Sequence, residues 1–216
     1  RVTGDRGYTP GKVRLQREAA MHPWHDVSIG DNAPKEFQAI IEIPKGSNVK
    51  YELDKNSGFL MVDRPQRTTS SPPALYGFIP RTYCAEEVAA RCHHADVADG
   101  DPLDICVYSE RLITRADIVL NARVVGGIQM IDGGEADDKI VAILQTDRVW
   151  SDVHDIADLA PLLVERLRHY FSTYKLVPGE TAPVDVSEAY GVLSDPAERA
   201  RYDRQLKLQV GPRGGA

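Results

Sequence analysis

Phe37-Gln-Ala-Ile-Ile-Glu-Ile-Pro44 is apolar, rich in β-branched residues and stopped by a proline, which predicts a strand. Val49-Lys-Tyr-Glu-Leu53 alternates cleanly, with Val49, Tyr51 and Leu53 on one face and Lys50 and Glu52 on the other. Lys55-Asn-Ser-Gly58 reads as a turn, and Phe59-Leu-Met-Val-Asp-Arg64 returns from it as the second arm of a hairpin. Further strands are expected at 104–108, 118–125, 128–132 and 139–144. Short strands joined by turns point to a small barrel rather than a βαβ sheet. Leu163, Leu167, Tyr170, Phe171 and Tyr174 make one apolar stripe of a helix begun by Pro161 and ended by Pro178-Gly179. A second helix is expected from Asp195, with Pro196 in its first turn and Glu198 three residues past the cap, to about Gln209. The fold class is therefore mainly β with flanking helices (α+β).

The 216 residues suffice for one compact domain with a sizeable core. The expected organisation is a basic tail over 1–20, a barrel domain with its long helix over 21–183, and a closing helix with a frayed end over 184–216. No apolar run approaches the ~20 residues that span a bilayer, so no membrane partner is expected. The three cysteines, Cys84, Cys92 and Cys106, do not form a disulfide framework, and a reducing cytoplasm is the simplest location. A net charge of −6 argues against broad nucleic-acid binding. That charge is uneven: residues 1–20 carry five Lys and Arg against two acids, a net of +3.

The run Asp99-Gly-Asp-Pro-Leu-Asp104 gathers three carboxylates on a stiff turn. Two like charges about 4 Å apart cost roughly 4 kcal/mol at an effective dielectric of 20. Such a run is either a solvated turn or the seat of a hard divalent cation, for which oxygen ligands favour magnesium, calcium or manganese. A second acidic loop, Asp132-Gly-Gly-Glu-Ala-Asp-Asp-Lys139, is closed by a lysine at a strand start. If these segments meet, Glu42, Glu52, Asp99, Asp101, Asp104, Asp132 and Asp137 bring −7 against +4 from Lys50, Arg64, Lys139 and Lys175. The residual −3 calls for at least two divalent cations, and the resulting pocket suits a phosphate-bearing anion.

At these residues the chain resembles the family I soluble inorganic pyrophosphatases, from about Trp24 to Pro183. The resemblance rests on Ile41-Glu-Ile-Pro44, Lys50-Tyr-Glu52, Val62-Asp-Arg64, Tyr76-Gly-Phe-Ile-Pro80, Asp99-Gly-Asp-Pro-Leu-Asp104, Met130-Ile-Asp132, Asp137-Asp-Lys139 and His169-Tyr-Phe-Ser-Thr-Tyr-Lys175. It implies a five-stranded OB-like barrel flanked by helices, hydrolysing pyrophosphate to two phosphates with magnesium. It further implies that Asp99, Asp104 and Asp137 flank tightly bound metals, that Asp132 joins them, and that Glu42 holds a further ion. Asp101 would be the general base for the metal-bridging water. Lys50, Arg64, Tyr76, Lys139, Tyr174 and Lys175 would bind the two phosphoryl groups, with Glu52 supporting the site electrostatically. The same resemblance implies a homo-oligomer, a hexamer in preference to a dimer.

Two departures from the family pattern stand out. Pro72 takes the place of a phosphate-facing tyrosine, and either Arg67 compensates or one hydroxyl contact is absent, at about 0.5–1.5 kcal/mol. The segment 84–97 is longer than in short bacterial relatives, and its Cys92-His-His94 fits no standard zinc spacing, so a solvated loop is expected. Residues 188–206 also resemble the last two helices of a J-domain, but the chain has no His-Pro-Asp, so an Hsp70 partner is not expected and the segment reads as the closing helix. A non-catalytic OB-type binding module is disfavoured by sparse aromatics and an acidic groove.

Overall fold

A computed structural model describes residues 21–89, 95, 97–176 and 184–191. Among these residues ten strands run β1 Glu36–Ile43, β2 Val49–Leu53, β3 Leu60–Pro65, β4 Leu75–Phe78, β5 Val97–Ala98, β6 Asp104–Tyr108, β7 Ile118–Asp132, β8 Glu135–Ala136, β9 Lys139–Leu144 and β10 Val184–Gly191. The helices are α1 Pro23–Asp26, α2 Glu86–Ala89 and α3 Pro161–Thr173.

Five strands close on themselves in the order β1-β4-β6-β9-β7 and back to β1. Ile40 faces Phe78, Gly77 faces Ile105, Ile140 lies beside Ile105, Ala142 faces Val124, and Leu120 faces Ala39. Only β6 and β9 run parallel among these pairs. Closure is what the short strands and frequent turns predict, and it yields the expected five-stranded ring. β2 and β3 form a separate hairpin against it.

Strand alternation fills both sides of the ring wall. Phe37, Ala39, Ile41, Leu75, Ile105, Val107, Ala122, Ile140 and Ala142 share one buried cluster, drawn from one face of all five strands, and occupy the interior. Cys106, Tyr108, Val141 and Ile143 point the other way and pack with Leu167, Tyr170, Phe171 and Tyr174 of the α3 stripe. A third cluster, Ile40, Leu53 and Phe78, seats the hairpin with Trp24 of α1 against it. Two-sided burial explains why β6 and β9 read as continuous apolar runs.

Several expectations require correction. β4 was not expected as a strand: it is four residues long and carries Gly77. The strands expected over 118–125 and 128–132 are one strand, β7, because a bulge between Val124 and Gly126 carries the ladder across the Gly126-Gly127 pair. The division after residue 183 does not hold, since Val184–Gly191 is a strand pairing with the second half of β7, Val184 opposite Asp132. Those eight residues belong to the barrel sheet and not to a closing helix; backbone pairing to an otherwise open edge outweighs local helical pattern there. The basic tail, Cys92-His93-His94, Pro178-Gly179, the helix over 195–209 and most of the J-like segment lie outside the described residues.

Gly77 sits where no side chain fits. A Cβ there would lie 1.8 Å from the Ile40 carbonyl oxygen and 2.8 Å from its carbon, both backbone atoms of the paired strand. Gly77→Ala is therefore expected to destabilise the fold by about 3 kcal/mol or more. Leu167→Ala, which hollows the α3 side of the wall, should cost about 2–5 kcal/mol. Urea unfolding curves measure both.

Candidate active site

The ring places one end of several strands around a single cleft. β6 and β9 are parallel neighbours with Asp104 beside Lys139, so the two acidic loops leading into them lie at the same end of the barrel. The short β5–β8 pairing, Val97 with Glu135 and Ala98 with Ala136, ties these loops together. A bulge in β1 between Ile41 and Ile43 makes Glu42 the extra residue opposite β4 and turns its carboxylate toward the cleft. The hairpin supplies Lys50, Glu52 and Arg64, β4 supplies Tyr76, and the C-terminal end of α3 supplies Tyr174 and Lys175.

The cleft has a volume of about 380 Å3, and all thirteen residues singled out from the sequence line it: Glu42, Lys50, Glu52, Arg64, Tyr76, Asp99, Asp101, Asp104, Asp132, Asp137, Lys139, Tyr174 and Lys175. Lys55 and Glu135 line it too, and neither stood out in the sequence. Counting them, eight carboxylates face five cations, and the formal residual is still −3. Pro72 does not line it; this proline borders a separate cavity with Ser70, Ser71 and His169. Arg67 does not line it either, so the position of the missing tyrosine is not filled from that stretch.

Lysines hold the carboxylates apart. Lys139, with only 2% of its side chain exposed, contacts both Asp104 and Asp137, and Tyr76 donates its hydroxyl to Asp104. Burial alone would lower the Lys139 pKa, but Asp104 and Asp137 outweigh it and hold the ammonium well above its ordinary value. Lys175 contacts Asp132, which also accepts from the Tyr174 hydroxyl at 3.3 Å. Lys55, from the hairpin turn, contacts Asp101. Asp63 bridges Lys50, at 2.8 Å, and Arg64. It is the extra residue of a bulge between Lys50 and Tyr51, which explains why alternation alone did not mark it.

Burial pushes up three carboxyls whose partners do not fully offset it. Glu42 accepts from the Leu53 amide at 2.7 Å, yet burial first, and the Asp104 charge second, push its pKa up to about 8. Burial likewise raises Asp137, with Asp104 adding to it and Lys139 opposing. Burial raises Asp99 although its carboxylate accepts from the Asp101 amide at 3.0 Å. Among the described residues no three His, Cys, Asp or Glu side chains converge as a ready-made metal cage. The donor set is nonetheless all oxygen and under-neutralised, which fits a hard divalent cation.

The Glu42 shift sets a pH dependence. Its carboxyl ionises near 4.5 when the chain is unfolded and near 8 when folded, so the unfolded state loses its proton first. The contribution of this one carboxyl to stability is full below pH 4.5 and is lost as pH rises toward 8, by up to about 5 kcal/mol. In EDTA, Glu42→Gln is expected to make the fall between pH 5 and 8 shallower while keeping the acceptor for Leu53, with Asp137, also pushed up to about 8 by burial, accounting for the fall that remains, as read from unfolding curves.

Comparison with known proteins agrees with this geometry. Residues 39–197 match the family model described as inorganic pyrophosphatase. An inorganic pyrophosphatase of Chlamydia caviae is 42% identical over 181 residues, covering 79% of this chain and 84% of that protein. A soluble inorganic pyrophosphatase of Oryza sativa subsp. indica is 40% identical over 173 residues, covering 80% and 73%. The solved inorganic pyrophosphatase of Helicobacter pylori superposes with a TM-score of 0.67 at 34% identity, over 86% of this chain and 99% of that one. A matched model spanning most of the chain, relatives above 30% identity and the same backbone lead to one conclusion: this chain belongs to the inorganic pyrophosphatase family.

Proposed function

We propose that the chain hydrolyses inorganic pyrophosphate to two phosphates, using magnesium and with Asp101 as the general base. The observation that carries this reading is the convergence of eight carboxylates and five cations from six separate parts of the chain on one cleft of net negative charge. A cleft of that sign repels a bare pyrophosphate anion, so cations must enter with it or before it.

Asp99, Asp101, Asp104, Asp132, Asp137 and Glu42 would hold the magnesium ions. When bound, these supply Lewis-acid polarisation of a phosphoryl oxygen and a water of lowered pKa. Asp101 suits proton removal because a third of its side chain is exposed, so water reaches it. Lys50 and Arg64, oriented by Asp63, present two cations on the hairpin side, and Lys139 with Lys175 presents two from the barrel side. These groups, with the hydroxyls of Tyr76 and Tyr174, bind phosphoryl oxygens and offset the charge of the leaving phosphate. Glu52, paired with Lys50 at 3.1 Å, keeps that ammonium in place. Among the described residues no helix is long and apolar enough to cross a membrane. A cytoplasmic homo-oligomer, hexameric in preference to dimeric, completes the proposal.

Purified chain is expected to release phosphate from pyrophosphate in magnesium and to stop in EDTA. Calcium should inhibit, because its looser coordination holds water and phosphate in poorer geometry. Asp101→Asn should lower kcat by about 10²–10⁴-fold with an unchanged unfolding curve; turnover near that of the unsubstituted chain refutes the base assignment.

A further inference from the structure

Five cations line the cleft, and four of them have roles implied by family resemblance; Lys55 has none. It stands in the turn of the β2–β3 hairpin, 46 residues from Asp101, whose carboxylate its ammonium contacts. The turn is pinned: the Lys55 carbonyl bonds with His22 Nε2 at 3.0 Å, the Gly58 amide donates to Asp54 at 2.8 Å and the Asp54 amide to Phe59 at 2.9 Å. The Lys55 backbone is thus fixed at the lip of the cleft while its side chain reaches across it.

This pair differs from the other lysine contacts in the cleft. Lys139 is buried between two carboxylates, Lys50 is 22% exposed and shared between Glu52 and Asp63, and Lys175 and Asp132 have only 29% and 16% of their side chains exposed. Lys55 and Asp101 are 49% and 33% exposed. An ion pair so open to water is weak and exchanges easily, since both partners are already hydrated. A divalent cation that takes the Asp101 oxygen held by Lys55 displaces this ammonium, and one that takes the other oxygen loosens it by charge repulsion. The displaced side chain stays tethered at the lip of the cleft that Lys50 and Arg64 also line, and its flexible four-carbon stem lets the ammonium turn toward an anion held there.

We propose that Lys55 is a positioning residue that changes partner: it holds Asp101 until a divalent cation takes that carboxylate, and then binds a phosphoryl oxygen of the substrate. The inference rests on reading the cleft as a magnesium and pyrophosphate site. It makes Lys55 a competitor of the metal and an ally of the substrate, two effects of opposite sign in one side chain. A lysine that merely braced the hairpin would weaken both.

The test is Lys55→Met beside Lys55→Arg, each checked for an unaltered unfolding curve. Magnesium alone is titrated calorimetrically into the chain without substrate. Lys55→Met is expected to bind magnesium about two- to fivefold more tightly, the size of an exposed ion pair removed. With pyrophosphate, the same variant should show kcat/KM lowered about tenfold, carried mainly by KM, and Lys55→Arg should restore most of it. Magnesium affinity that is unchanged or weaker in Lys55→Met overturns the proposal, as does an unchanged kcat/KM. Because the magnesium titration needs no turnover, its result stands apart from a failure of the unsubstituted chain to release phosphate, which would count against the pyrophosphatase reading instead.

Discussion

Like charges held close together in a partly dry cleft govern this molecule. Two carboxylates about 4 Å apart repel by roughly 4 kcal/mol at an effective dielectric of 20, and eight of them line one cleft of about 380 Å3. The fold tolerates this because Lys139 stands fully buried between Asp104 and Asp137, where a lone ammonium would be prohibitively costly and a doubly paired one is not. The parallel β6–β9 pairing makes that arrangement possible by starting Asp104 and Lys139 side by side. Remove the parallel pair and the two acidic loops would leave from opposite ends of the barrel.

The remaining excess charge is a store of binding free energy for cations. Glu42 and Asp137 have carboxyls that burial pushes upward, so each loses a proton more readily once positive charge arrives. The cations of the cleft come from two supports. Lys50, Lys55 and Arg64 ride on the hairpin, while Lys139 and Lys175 belong to the barrel wall and the end of α3. The hairpin has its own two-stranded sheet and its own small apolar seat of Ile40, Leu53 and Phe78. Cations from both supports are thereby interleaved with the carboxylates: Lys55 meets Asp101 from the hairpin, while Lys139 and Lys175 meet Asp104, Asp137 and Asp132 from the barrel side.

Two bulges do much of the aiming. In β1 the extra residue is Glu42, and in the hairpin it is Asp63. A regular strand would have kept each on the side its neighbours dictate; one inserted residue turns the first carboxylate into the cleft and sets the second between Lys50 and Arg64. Gly77 answers the first bulge from the facing strand, since any side chain there would strike the Ile40 carbonyl.

Much of this was legible along the chain. The strand alternation at Val49–Leu53, the stripe from Leu163 to Tyr174 and the turn chemistry of Asp99–Asp104 are local, because side-chain direction and turn geometry depend on neighbours a few residues away. The charge excess was countable before any contact was known. What the local pattern could not hold was partnership. β4 is not legible in the sequence because four residues around a glycine show no period, and the strand exists only through β1 and β6 on either side. Residues 184–191 became a strand because β7 offered an edge. Lys55 read as a turn residue, and only the folding of the hairpin over the carboxylate loop sets it against Asp101. Register, ring closure and the burial of Lys139 arise from contacts between segments dozens of residues apart, and no short stretch of sequence contains the energies that select them.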